Sequence, residues 1–108
     1  MKKLIKVKIK REEIQEVEVD FPIFRQHDCG GHDYSAVIYS RVEHDGTVFS
    51  IHENGRSDER SYEFEIGRTN FQSADSQDYI LGLGEYACQA AEFAKVLARA
   101  KAYLERFG

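Results

Sequence analysis

His27, Asp28, Cys29, His32 and Asp33 fall within seven consecutive residues around the Gly30-Gly31 pair, and all four histidines of the chain lie between positions 27 and 52. Imidazole and thiolate are favoured ligands of zinc and other transition metals, and glycines let a backbone fold round an ion. His27, Cys29, His32 and Asp33 are therefore the candidate metal ligands, with zinc the ion this donor set suits. The second ligand pair of a tetrahedral structural site, such as Cys-x2-Cys, is missing. A solvated glycine loop with hydrogen-bonding polar residues is the plainer reading.

Cys29 activated by His27 or His32 is the catalytic version of the same cluster. Cysteine-histidine sites draw their partners from separate elements, whereas these residues share one loop. There is also no phosphate-binding glycine loop with its lysine, and Gly82-x-Gly84 is too short to count. No catalytic set is assigned, and the sequence points away from an enzyme.

The elements around the cluster follow from periodicity. Ile5, Val7 and Ile9 alternate with Lys6, Lys8 and Lys10, and Val17, Val19 and Phe21 with Glu16, Glu18 and Asp20. If the two stretches form a hairpin, their apolar faces coincide when odd positions oppose odd, which sets lysines across from acids. Asp45-Gly46 predicts a two-residue turn between strands over 34–43 and 47–53, so that Val42 meets Phe49, Ser40 meets Ile51 and Tyr39 meets His52. In this register His44 lies roughly 35 Å along the strand from Asp33 and His52 roughly 20 Å, too far to complete the cluster unless the loop folds back. Strands over 3–10, 15–24, 34–43, 47–53 and 61–67 precede one helix over 78–107. The chain reads as a single α+β domain over 1–108, an antiparallel sheet with a long C-terminal helix on one face. Gly82 and Gly84 each cost roughly 1 kcal/mol inside a helix, so the regular helix is expected to begin only near Glu85.

Composition narrows the partners. A chain of 108 residues with 42% apolar content can bury one modest core, and a net charge of -4 disfavours a dedicated nucleic-acid surface. The N-terminal lysines are nearly balanced by Glu12, Glu13, Glu16, Glu18 and Asp20. Lys6, Lys8 and Lys10 interrupt the apolar stretch that a signal peptide needs, and no membrane-length apolar run occurs, so a cytoplasmic protein with reduced Cys29 and Cys88 is expected. Tyr34, Tyr39, Phe49 and Tyr62 read as core residues rather than a stacking platform for bases.

The helix has apolar surface to spare. Tyr86, Phe93, Leu97, Leu104 and Phe107 form one stripe, and Ala87, Ala91, Ala94 and Ala98 form a second beside it. A helix lying on one sheet needs only a single stripe, and alanines let another backbone come close. The function expected is a non-catalytic protein-binding or assembly module, a homodimer built on Ala87, Ala91, Ala94 and Ala98. A metal-binding protein or metal-dependent enzyme using the His27 to Asp33 loop is the alternative.

Overall fold

A computed structural model of the chain describes residues 2–10, 13–31, 35–55, 60–69 and 77–107. Strands β1 (Lys2–Lys10) and β2 (Glu13–Asp20) pair as a two-stranded sheet. Strands β3 (Ile23–Asp28), β4 (Ala36–Val42), β5 (Thr47–Asn54) and β6 (Ser61–Arg68) follow one another in a four-stranded antiparallel meander. Helices α1 (Gln77–Leu81) and α2 (Ala90–Phe107) come last, connected through a 3-10 turn at Gly84–Tyr86. The fold is α+β, with α2 packed on one face of the larger sheet. No helix among the described residues is long and apolar enough to cross a membrane.

Among the described residues six strands stand where periodicity predicts five. Pro22 has no amide hydrogen to give a ladder, so the predicted strand over 15–24 is divided between the two sheets. β3 then occupies much of the predicted loop, with Arg25 opposite Ser40 and His27 opposite Ile38. Its polar side chains lack the alternation that identifies the other strands. The first hairpin has the expected parity: Ile5 opposes Val17, Lys6 opposes Glu16 and Lys2 opposes Asp20. A register shift between Lys8 and Lys10, after which Lys10 opposes Glu13, absorbs the extra residue.

The second hairpin differs from the prediction by one position. Val42 opposes Val48, Ser40 opposes Ser50 and Tyr39 opposes Ile51. The connection holds three residues rather than two: Glu43 N–H donates to Thr47 O at 2.8 Å, and Gly46 N–H donates to Glu43 O at 3.0 Å. Gly46 takes the left-handed conformation, φ 89°, that lets a type I turn close a three-residue hairpin. Asp45 Oδ1 accepts the Thr47 N–H at 2.9 Å, which fixes this turn over the two-residue one. A one-residue slip exchanges the faces of a strand, so Tyr39 shares its face with Ile51 and not with His52.

Two apolar clusters follow, one on each side of the larger sheet. On the first side Tyr39, Ile51 and Tyr62 pack against Phe93, Val96 and Ala100 of α2. On the other, Ile23, Val42 and Val48 pack against Ile5, Phe21, and Ile80 and Leu81 of α1. The buried stripe of α2 is thus rotated from the expected one, with Val96 nearly inaccessible and Leu104 exposed. Tyr39 and Tyr62 are core residues as expected, and Tyr34 lies outside the described residues.

A buried carboxylate joins the helix to the sheet. Glu53 of β5, 7% exposed, accepts hydrogen bonds on Oε2 from Tyr62 Oη at 2.8 Å and from Arg99 Nη2 and Nε at 2.8 and 3.1 Å. Arg60 Nε lies 4.0 Å from the other oxygen. The same carboxylate and burial raise the Tyr62 hydroxyl pKa above its ordinary value, burial being the larger cause.

The predicted helix over 78–107 is interrupted where its glycines fall. Gly82 ends α1 with φ +67°, and a Cβ there would lie 2.6 Å from the Phe24 carbonyl oxygen and 3.1 Å from Arg25 Cβ. Both the left-handed backbone and the close approach to β3 require glycine. The regular helix resumes at Ala90.

Gly82→Ala should lower the unfolding free energy by about 2 to 3 kcal/mol in chemical denaturation. Gly67→Ala, whose methyl meets nothing within 4 Å, should change it by less than about 0.5 kcal/mol. Arg99→Met should cost about 2 to 3 kcal/mol by leaving the Glu53 carboxylate buried without its main partner. The Glu53→Leu/Arg99→Met double variant should recover at least half of that loss, and equal losses in both would show that charge pairing is not what holds α2 to β5.

Candidate functional site

The face of the large sheet turned away from α2 is lined by cross-strand rows. Arg25, Ser40, Ser50 and Glu65 form one row, and His27, Ile38, His52 and Glu63 form the next. Directly opposed residues project from the same face, so these polar groups stand together between the apolar cluster under α1 and the open end of the strands. Arg25, Ser40, Ser50, His52, Glu65 and Tyr79 line a groove of about 290 Å³ there.

Arg25 is its fixed end. The side chain is buried, its guanidinium lies 4.4 Å from the centre of the Tyr79 ring, and Nη1 donates to the carbonyl oxygens of Tyr79 and Ile80 at 3.2 and 3.4 Å. These carbonyls belong to the last turn of α1, where a cation is favoured. Arg25 thereby fastens α1 onto β3. His27 meets Tyr79 and Tyr86 edge-on, with ring centres 5.5 and 5.6 Å apart, so the next residue along this face holds the same short helix and the 3-10 turn.

The centre of the groove is hydroxylic. Ser40 Oγ and Ser50 Oγ lie 2.9 Å apart and buried; whichever donates, the other keeps a hydroxyl hydrogen with no described acceptor. His52 Nε2 is 3.0 Å from Glu65 Oε2. The carboxylate orients the imidazole, and among the described residues no hydrogen bond joins His52 to either serine.

The candidate metal ligands are only partly brought together. His27 is on β3 against the tyrosines. Cys29 follows the strand, exposed, with its N–H donated to Ala36 O at 2.9 Å and its Sγ donating to His27 O at 3.6 Å. Asp28 Oδ1 accepts the Gly30 N–H at 2.9 Å in an Asx turn. His32 and Asp33 lie outside the described residues. Among the described residues no group of three His, Cys, Asp or Glu side chains is placed to hold a metal ion. His52 does share a sheet face with His27, one strand beyond Ile38 and so roughly 10 Å away, a relation that the off-by-one register concealed.

On the helix side, Ala91, Ala94 and Ala98 are exposed on α2. Ala87 precedes the helix, its backbone bridging to Arg25 of β3, and so does not continue their stripe. Phe93 meets Phe24 and Phe49 on one flank of α2, while Arg99 reaches Glu53 on the other. Leu97 and Leu104 fall on the Phe93 flank by helical periodicity. The end of α2 reaches β6 through the Tyr62 and Tyr103 rings, 5.6 Å apart. Phe64 and Ile66 on this face of β6 and Leu104 on α2 remain 37%, 75% and 42% exposed. The shared face of Phe64 and Ile66 is readable from their alternation; that α2 leaves it uncovered is not.

Comparison with protein-family models, with curated proteins and with solved structures finds no match to this chain.

The two cysteines should separate chemically. Burial, followed by the nearby Glu92 carboxylate, raises the Cys88 thiol to about 11, while Cys29 is exposed. A rise from 9.0 to about 11 leaves roughly 100-fold less thiolate near neutral pH. Ellman's reagent at pH 8 should therefore label the Cys88→Ser variant rapidly and the Cys29→Ser variant slowly; equal rates would contradict the buried setting of Cys88.

Proposed function

We propose that this protein is a non-catalytic assembly module that self-associates through the helix-bearing side of its larger sheet. The observation that carries the reading is the exposure of Phe64 and Ile66, which share the α2-bearing face of the outermost strand, and of Leu104 on α2 itself. Exposed single apolar residues are ordinary on a protein surface, but several on an edge strand and on the helix of the same sheet face make the kind of surface that a partner covers. Ala91, Ala94 and Ala98 are also exposed on α2, with side chains small enough for close backbone approach. A second copy presents the same surface, so an isologous twofold contact buries both at once.

Native mass spectrometry of the untagged chain at tens of micromolar should give a dimer. The Ala94→Glu/Leu104→Glu double variant should raise the dimer dissociation constant at least tenfold, about 1.4 kcal/mol, without unfolding, since both positions are exposed. A monomeric parent would end the self-association reading. A dimer unaffected by the double variant would remove α2 from the contact.

A further inference from the structure

We propose that β6 pairs edge to edge and antiparallel with β6 of a second copy, Ile66 opposite the partner's Ile66, so that two four-stranded sheets become one. The inference rests on the self-association proposed above and names its geometry. Thr69 N–H donates to Gly46 O at 2.8 Å, which fixes the alternation along β6. Glu63, Glu65 and Gly67 turn their N–H and C=O groups inward to β5, and Phe64, Ile66 and Arg68 turn theirs outward. β6 ends the strand order, and no described strand pairs with its outer side. The other edge of the sheet is covered at Arg25, where Ala87 bridges to β3. An eight-residue strand with an open outer edge and apolar side chains is a template for a further strand.

The side chains select a second copy and a register. A twofold axis normal to the sheet requires outward residues to oppose outward residues. Centring the axis on Phe64 sets Glu63 against the partner's Glu65, and centring it on Glu65 sets that acid against itself; directly opposed like charges destabilise a pair. Centring it on Ile66 sets Phe64 against the partner's Arg68, a cation beside an aromatic face, and Glu65 against the partner's Gly67. Three outward pairs then form, about six main-chain hydrogen bonds. An axis on Gly67 avoids the acids too but keeps only two such pairs. Among the registers in which no acid faces an acid, the one centred on Ile66 pairs residues 64–68 and keeps the most outward pairs.

Gly67 fits the same arrangement. Its φ is not left-handed and nothing lies within 4 Å of an added Cβ, so neither backbone strain nor crowding within the chain calls for glycine. A glycine inside a strand marks the close approach of another backbone or a ligand, and in this register Gly67 stands opposite the partner's Glu65. Glu65 and Gly67 both line the polar groove, so the two grooves meet across the axis.

Two measurements test this. Amide hydrogen exchange on the parent at a concentration where native mass spectrometry shows a dimer should find the Phe64, Ile66 and Arg68 amides at least about 100-fold slower than free strand-edge amides. In a Cys29→Ser/Cys88→Ser background, Ile66→Cys should form an intermolecular disulfide under mild oxidation, because opposed hydrogen-bonded residues are about 5.5 Å apart at Cα. A dimeric parent with fast exchange at those three amides overturns the edge pairing and leaves self-association standing. Protected amides with an Ile66→Cys chain that remains reduced overturn the register. A monomeric parent overturns both proposals.

Discussion

The position of α2, and with it the identity of every free surface, depends on the buried carboxylate of Glu53. A charge taken out of water is tolerated only when paired and hydrogen-bonded, and Glu53 collects a hydroxyl from β6 and a guanidinium from α2 on one oxygen. These partners fix the rotation of α2 about its axis, since Arg99 must face Glu53 while Phe93 enters between Phe24 and Phe49. Apolar burial alone allows a range of rotations for a helix with so broad an apolar surface. With the rotation set, Val96 and Ala100 turn inward and Leu104 and the alanines turn out.

The opposite face is organised by a different cation. Arg25 closes the last turn of α1 and stacks on its tyrosine, so a helix of only five residues is held by a charge, an aromatic ring and a glycine cut to fit. The short helix covers one end of the sheet face and leaves the Ser40 and Ser50 hydroxyls beyond its reach. The two faces thus differ in kind: one closed by a long helix over an apolar layer, the other half closed and polar.

Much of this was legible in the sequence, and what was not has identifiable causes. Alternation placed β1, β2 and β6, the Asp45-Gly46 dipeptide placed β4 and β5 on either side of a turn, and the glycines at 82 and 84 located the break before α2. Alternation failed at β3, where Arg25 and His27 occupy positions that apolar residues usually mark. The Asp45-Gly46 dipeptide suits both a two-residue and a three-residue hairpin, and choosing the former moved the register by one, separating Ser40 from Ser50 and Tyr39 from Ile51. The polar row across the sheet was invisible in consequence. Glu53 stands in phase with Phe49 and Ile51, which marks it as inward, but its partner Arg99 lies 46 residues away and nothing local announces the pair. The His27 to Asp33 cluster was legible as a concentration of ligands, yet the structure engages its first member with tyrosines from outside the loop.

The division of the apolar residues between two faces also governs how the molecule comes apart. The two clusters share no residue, and β4 and β5 are the strands that place buried apolar residues in both, Tyr39 and Val42 on one and Ile51 and Val48 on the other. Heating can therefore detach α1 with the small sheet, or α2 with β6, while the central hairpin retains a layer on its other side. The last structure to melt is the hairpin whose three-residue turn sets the register for everything packed against it.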